Sequence, residues 1–186
     1  MVKEVSKKFI SANSLYLYSL QLAKIIYDSG FVPNVLIALW RGGTPVGIVI
    51  HEFFRFSGKD IKFHKAVRTE SYRGVNSKGK VKIEAFPNLM NHLDENSNLL
   101  IVDDIFDSGM TINGLLQIFK TYNKKPNIKI ATVFYKPKKN QTDIVPDFYL
   151  KETDAWVVFP HELCDLTQEE IKKRSKRQYK LLKDRF

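Results

Sequence analysis

The stretch Leu99-Leu100-Ile101-Val102-Asp103-Asp104-Ile105-Phe106-Asp107-Ser108-Gly109-Met110-Thr111 decides the fold. Its first half is a short, unbroken apolar run. Such a run forms a strand buried on both faces of a parallel sheet. Two carboxylates, Asp103 and Asp104, stand at the strand's end. A polar loop carries Asp107, Ser108, Gly109 and Thr111, and a helical apolar pattern follows from Ile112 to Tyr122.

Ligands of open α/β sheets sit beyond the carboxyl ends of the strands. A small loop entering a helix N-terminus presents unpaired N–H groups that suit a phosphate, and Gly109 lets the backbone approach it closely. Ionised carboxylates only accept hydrogen bonds, so Asp103 and Asp104 can hold sugar hydroxyls or a hydrated divalent metal. Together these features describe a site for a phosphorylated sugar. An unrelated α/β protein with an acidic strand end shares only part of the pattern.

Outward from this stretch the pattern repeats. Val35–Leu39 is a second apolar strand that runs into Trp40-Arg41-Gly42-Gly43-Thr44-Pro45, with a helix expected from about Val46 to Phe56. Gly42 and Gly47 have the spacing of a Walker loop, but Ile48 and Val49 stand where Lys and Ser/Thr are needed. What remains is a tight turn with an Arg, suited to a second phosphate group. Upstream, Ser11–Ser29 reads as an amphipathic scaffold helix with Leu15, Tyr18, Leu22, Ile25 and Ile26 at helical spacing, and Ser11 or Asn13 as its cap. Ile61–Val67 reads as a third strand. The polar, basic segment Arg68–Lys80 is too long for an idle connection and has the character of an active-site lid. Val81–Phe86 alternates like a return strand, and Asn127–Tyr135 is a further apolar strand. Helix and strand alternation implies a mainly parallel, twisted sheet flanked by helices.

The arrangement resembles the type I phosphoribosyltransferases, in which two acidic residues after an apolar strand precede an Asp/Ala-Thr/Ser-Gly-x-Thr loop that binds phosphoribosyl pyrophosphate (PRPP). Here Val102-Asp103-Asp104 and Asp107-Ser108-Gly109-Met110-Thr111 fall in register with that motif. The resemblance is greatest to the 6-oxopurine (hypoxanthine, guanine or xanthine) members, and it implies one Rossmann-like domain over 1–186. Its parts would be a core at about 10–135, a flexible lid at about 69–85, a base-binding hood at about 136–165 and a basic C-terminal helix at about 167–186. It also implies roles. Asp103 and Asp104 hold the ribose hydroxyls, Ser108, Gly109, Met110 and Thr111 hold the 5′-phosphate, and Asp107 handles the proton at the purine ring nitrogen. Arg41 and Gly42 bind pyrophosphate, with a non-prolyl cis peptide at Trp40–Arg41 or the next bond, and Trp40 departs from the Ser of xanthine–guanine members. Ser71 and Tyr72 match the Ser-Tyr of the closing loop. Lys136 contacts the exocyclic oxygen, Trp156 stacks on the base and the Val157 backbone bonds its edge. Mg2+ is implied near Asp103 and Asp104, and indirectly near Glu162, which replaces the family's Asp. Trp156 as ordinary core and Lys136 as a solvated lysine are the plain alternatives.

Charge and composition bound the rest. The net charge of +10 points to an anionic partner, which PRPP would satisfy. Much of it lies in Thr167–Phe186, expected as a single helix capped by Thr167 with Glu169 and Glu170 in its first turn, either a solvated face or a nucleic-acid surface. The latter keeps open a regulator of the same fold that senses PRPP or nucleotides and binds nucleic acid. An enzyme for adenine or a pyrimidine is opposed by Lys136 and Trp156 only through the roles that the resemblance implies for them. The single Cys164 excludes an internal disulfide, is expected to be buried, and fits a reducing cytoplasm. No apolar run reaches spanning length, and Met1-Val2-Lys3-Glu4-Val5 lacks a signal-peptide core, so a cytoplasmic protein without membrane contact is expected. The histidines lack metal-site spacing, and His51 is expected in the core or at an interface. The resemblance implies a homo-oligomer, a dimer or tetramer.

Overall fold

A computed structural model describes residues 7–71, 81–83, 89–121, 125–164 and 166–185, with the backbone alone at 69–71 and 81–83. The chain divides into two compact units, 16–154 and 1–15 with 155–186.

The larger unit is built on a six-stranded sheet. Its strands are β2 (Val35–Trp40), β3 (Phe63–Ser71), β4 (Val81–Ile83), β5 (Asn98–Phe106), β6 (Asn127–Tyr135) and β7 (Phe148–Glu152), in the order β4-β3-β2-β5-β6-β7. All neighbours run parallel except β3 and β4. Both faces of the central strands are covered. On one face Val35, Ile37, Leu39, Leu99 and Ile101 form a cluster with Ile112, Leu115 and Phe119 of α3 (Met110–Lys120). On the other, Leu36, Ala38, Leu100 and Val102 are also buried. There, Gly47 of α2 (Gly43–Phe56) sits so close to Ala38 that an added methyl group would approach its Cβ to 2.8 Å. Burial on both sides explains why these strands read as unbroken apolar runs. Helix α1 (Ala12–Asp28) begins after Ser11, whose hydroxyl accepts from the Ser14 N–H at 3.0 Å. Its Tyr27 packs edge-on against Phe53 and Phe54 of α2. Its buried stripe is Leu15, Ser19, Leu22, Ala23 and Ile26; Ile25 is exposed.

The smaller unit pairs β1 (Lys7–Phe9) in parallel with β8 (Trp156–Val158) and ends in α4 (Gln168–Arg174) and α5 (Lys176–Leu182), followed by a single turn at Lys183–Arg185.

Several expectations are corrected. Helix α2 starts three residues earlier than expected, at Gly43, because a proline in the first helical turn forfeits no internal hydrogen bond. Strand β3 runs on through the polar residues to Ser71, where β4 supplies antiparallel partners at Thr69, Glu70 and Ser71. Val81–Ile83 is thus the anticipated return strand, while Tyr72 and residues 72–80 of the lid, and 84–88, lie outside the described residues. Asp103 and Asp104 lie within β5 rather than at its end. The C-terminal helix is broken at Ser175, which takes an extended backbone and caps α5 by accepting from the Gln178 N–H at 3.2 Å. Cys164 is exposed, not buried. His51 is half-buried, its ring 4.5 Å from that of His64.

Candidate active site

Strand order locates the crevice before any side chain is considered. From β2 the chain moves outward to β3, whereas from β5 it moves the other way to β6, so the topology switches between β2 and β5. Loops leaving adjacent strands at such a point diverge and leave space for a ligand. The loops concerned are Trp40–Gly42 and Asp107–Gly109, each leading directly into a helix.

Glycine permits the first loop. A Cβ on Gly42 would overlap the Asp104 carboxylate, and one on Gly43 would overlap the Val102 carbonyl. The β2–α2 turn is therefore seated directly on the carboxylate pair, with a cis peptide at Trp40–Arg41 and Arg41 exposed. The Asp103 carboxylate accepts the Asp104 N–H at 3.0 Å and the Gly43 N–H. Enclosure by protein, and then the charge of Asp104 alongside, push the Asp103 carboxyl well above the usual carboxylate value; the two N–H groups pull the other way without prevailing.

The second loop ends at Gly109, whose φ of 75° is readily adopted only by glycine. A methyl group there would come within 2.6 Å of the Thr142 hydroxyl and 2.8 Å of the Phe106 ring. Neither Gly42 nor Gly109 offers a side-chain cap to its helix. Two uncapped helix N-termini thus belong to the neighbouring loops, the arrangement that suits two anionic groups. Ser108 Oγ lies 3.4 Å from the Met110 nitrogen, and Thr111 is half-buried in the first turn of α3.

Lys136 is not a solvated lysine. It is 6% exposed, and its N–H donates to the Phe106 carbonyl at 2.9 Å, carrying the β5–β6 pairing one residue past Tyr135. That register sets its ammonium 2.9 Å from Asp107 Oδ2, an ion pair in which Asp107 is half-exposed. An unanticipated support lies behind the Asp107–Gly109 loop. Asn140 accepts from the Thr142 N–H and hydroxyl at 2.9 and 2.8 Å and donates to Tyr135 Oη and the Ile144 carbonyl, while the Gln141 N–H donates to the Ser108 carbonyl at 3.0 Å. The polar run Asn140–Asp143 signals a turn, but no sequence pattern indicates that this turn touches Ser108 and Gly109.

In the smaller unit Trp156 is 53% exposed and so is not core, whereas Val157 is buried. Glu162 Oε2 accepts the Phe159 N–H at 2.9 Å, which gives this carboxylate a local structural task. Ser71 ends β3, with only its backbone described. Among the described residues no three metal-binding side chains cluster, and no helix is long and apolar enough to cross a membrane.

Fold and site define an α/β protein with a crevice at the switch point of its sheet. Residues 19–168 match the phosphoribosyl transferase domain model, and the chain belongs to that family. It is 34% identical over 157 residues to a hypoxanthine phosphoribosyltransferase of Buchnera aphidicola, covering 79% of this chain and 81% of that one. It is 41% identical over 86 residues to a hypoxanthine-guanine phosphoribosyltransferase of Bacillus subtilis, a match spanning 44% of each chain. Among solved structures it is similar to a purine phosphoribosyltransferase of Pyrococcus horikoshii, with TM-score 0.67, 26% identity, and 87% of this chain and 97% of that one covered.

Proposed function

We propose that this chain transfers the phosphoribosyl group of PRPP to a 6-oxopurine base, releasing pyrophosphate, as a purine-salvage enzyme. The observation that carries the reading is the seating of Gly42 and Gly43 on the Asp103–Asp104 pair at the switch point, beside the uncapped start of α3. This brings a carboxylate pair for a diol between two places suited to phosphate.

In the reaction the bond from the sugar's anomeric carbon to the pyrophosphate oxygen breaks, and a bond from that carbon to a purine ring nitrogen forms. Asp103 and Asp104 accept hydrogen bonds from the ribose hydroxyls and fix the sugar. The N–H groups and hydroxyls of Ser108–Thr111 bind the 5′-phosphate. Arg41 and the Gly42 N–H hold the leaving pyrophosphate. Asp107 takes the proton that the ring nitrogen sheds. Lys136 has three donors; one is engaged by Asp107 in this structure, and the others remain for an exocyclic oxygen. Two adjacent carboxylates, one with its proton affinity raised by burial and then by the other's charge, are suited to a bound cation. Mg2+ held there, largely through substrate oxygens and water, would neutralise the leaving group.

The test is pyrophosphate release from PRPP and Mg2+ with hypoxanthine, guanine, xanthine, adenine and uracil in turn. Turnover with one or more of the first three is expected and identifies the preferred base. Silence on all five while PRPP still binds overturns the reading in favour of a PRPP-sensing regulator.

A further inference from the structure

The chain's positive charge is concentrated in one place. Between Lys172 and Arg185 stand eight cations and one carboxylate, Asp184, so this short segment holds +7 of the net +10. It is an ordered part of the smaller unit. Thr167 and Glu170 form a reciprocal cap on α4, and Glu170 also pairs with Lys7 at 2.7 Å. Ile171 is buried. The Arg174 guanidinium spans the break, donating to Gln178 Oε1 and to the Glu162 carbonyl, both at 2.9 Å. The segment's polar groups are thus used to hold the two helices, and seven of the eight cations are left exposed.

Among the described residues none of those seven has a carboxylate within salt-bridge distance, whereas Lys24, Lys129 and Lys138 elsewhere pair with Asp28, Asp147 and Asp154. On α5, Lys176 and Lys180 stand four residues apart, a like-charge spacing that weakens a helix. A solvated surface gains nothing from this repulsion; a polyanion removes it. An anionic membrane is disfavoured, since α4 exposes no large apolar side chain and α5 exposes only Leu181, too little for an interfacial helix.

From this placement we propose that α4 and α5 form a nucleic-acid-binding surface that engages the phosphodiester backbone without reading sequence. The proposal is independent of the transferase reading. Neutralising about four or five phosphates makes affinity fall with salt at a log–log slope of about −4, with micromolar binding at low salt.

The test is fluorescence anisotropy of the full chain with short random-sequence duplex DNA and single-stranded RNA across a KCl series, beside flotation with phosphatidylcholine vesicles containing phosphatidylserine. Binding to the duplex with that slope, and to the single strand with a slope of about −3, is expected. A loss of at least about tenfold is expected in Lys176→Glu/Arg177→Glu/Lys180→Glu, with melting temperature and pyrophosphate release unchanged. Should that variant not fold, Lys172→Gln/Lys173→Gln is expected to lower both affinity and slope. No binding at low salt, wild-type binding by the folded variants, or capture by vesicles alone would each overturn the proposal.

Discussion

At the scale of single residues, the most informative group is Asp103. Burial and the neighbouring Asp104 raise its carboxyl above the usual value. Over the pH range between its unfolded and folded values, the native state holds a proton that the unfolded chain has released. Native stability therefore falls as pH rises through that range. Above it the ionised carboxylate is a continuing cost, accepted for its place in the crevice. Asp103→Asn should raise Tm at neutral pH by on the order of a few degrees, with the gain shrinking on acidification, while PRPP affinity collapses. Melting curves at several pH values check the first half and PRPP titration the second; an unchanged or lower Tm at neutral pH would contradict the account.

Asp107 makes a different prediction. It is half-exposed beside Lys136, and Asp107→Asn should lower kcat about a hundredfold or more while KM for PRPP changes little. Equal loss in both would remove Asp107 from proton handling. Trp156 has more than half its surface free. Replacing it with Ala should raise KM for the base about tenfold or more, since stacking contributes about 1–3 kcal/mol, and leave KM for PRPP near its wild-type value. No change would leave the indole without a part in base recognition.

Elements show how two loops are made into one site. The Asn140 turn braces Ser108 and Gly109 from behind. Asn140→Ala should thus raise KM for PRPP up to about tenfold, the effect of about 1.4 kcal/mol, with kcat nearly preserved; a fall in kcat alone would rule out action through the phosphate loop. This is also the level at which sequence and structure part company. Val35–Leu39 and Leu99–Val102 are legible as strands because burial on both faces leaves an unbroken apolar signature, Asn127–Tyr135 because Ile128, Ile130, Val133 and Phe134 mark it despite Lys129 and Thr132, and Gly109 because its turn demands it. The extension of β3 to Ser71 is not, since cross-strand pairing with β4 forms it rather than burial. The break at Ser175 is hidden because one serine in a basic run suits a helix interior almost as well as a cap. In the site, the residue types and their order could be read directly. The contact of Gly42 and Gly43 with Asp103 and Asp104 spans about sixty positions and emerges only from the strand order.

For the whole molecule, a net charge of +10 would favour the approach of the proposed anionic substrate. Unit charges are screened beyond about 8–10 Å at moderate salt. Raising KCl from about 50 to 300 mM should accordingly increase KM for PRPP several-fold while KM for the uncharged base stays level. Initial-rate measurements across that series separate the two, and parallel rises would point to a general loss of activity. Removing the α5 charges should leave this response in place if it arises around Arg41 and the phosphate loop.

The seating of the β2–α2 turn on the β5 carboxylates also bears on how such a protein can change. A side chain at position 43 has nowhere to go unless the backbone of β5 gives way, one at position 42 must displace the Asp104 carboxylate, and Asp103 relies on an N–H from the opposite loop. The two segments therefore act as a single structural part. Grafting either one alone from a distant relative should yield an inactive chimera, whereas transplanting both together should restore turnover. Drift in this lineage would then proceed by paired replacement, with the glycines as its slowest-moving positions.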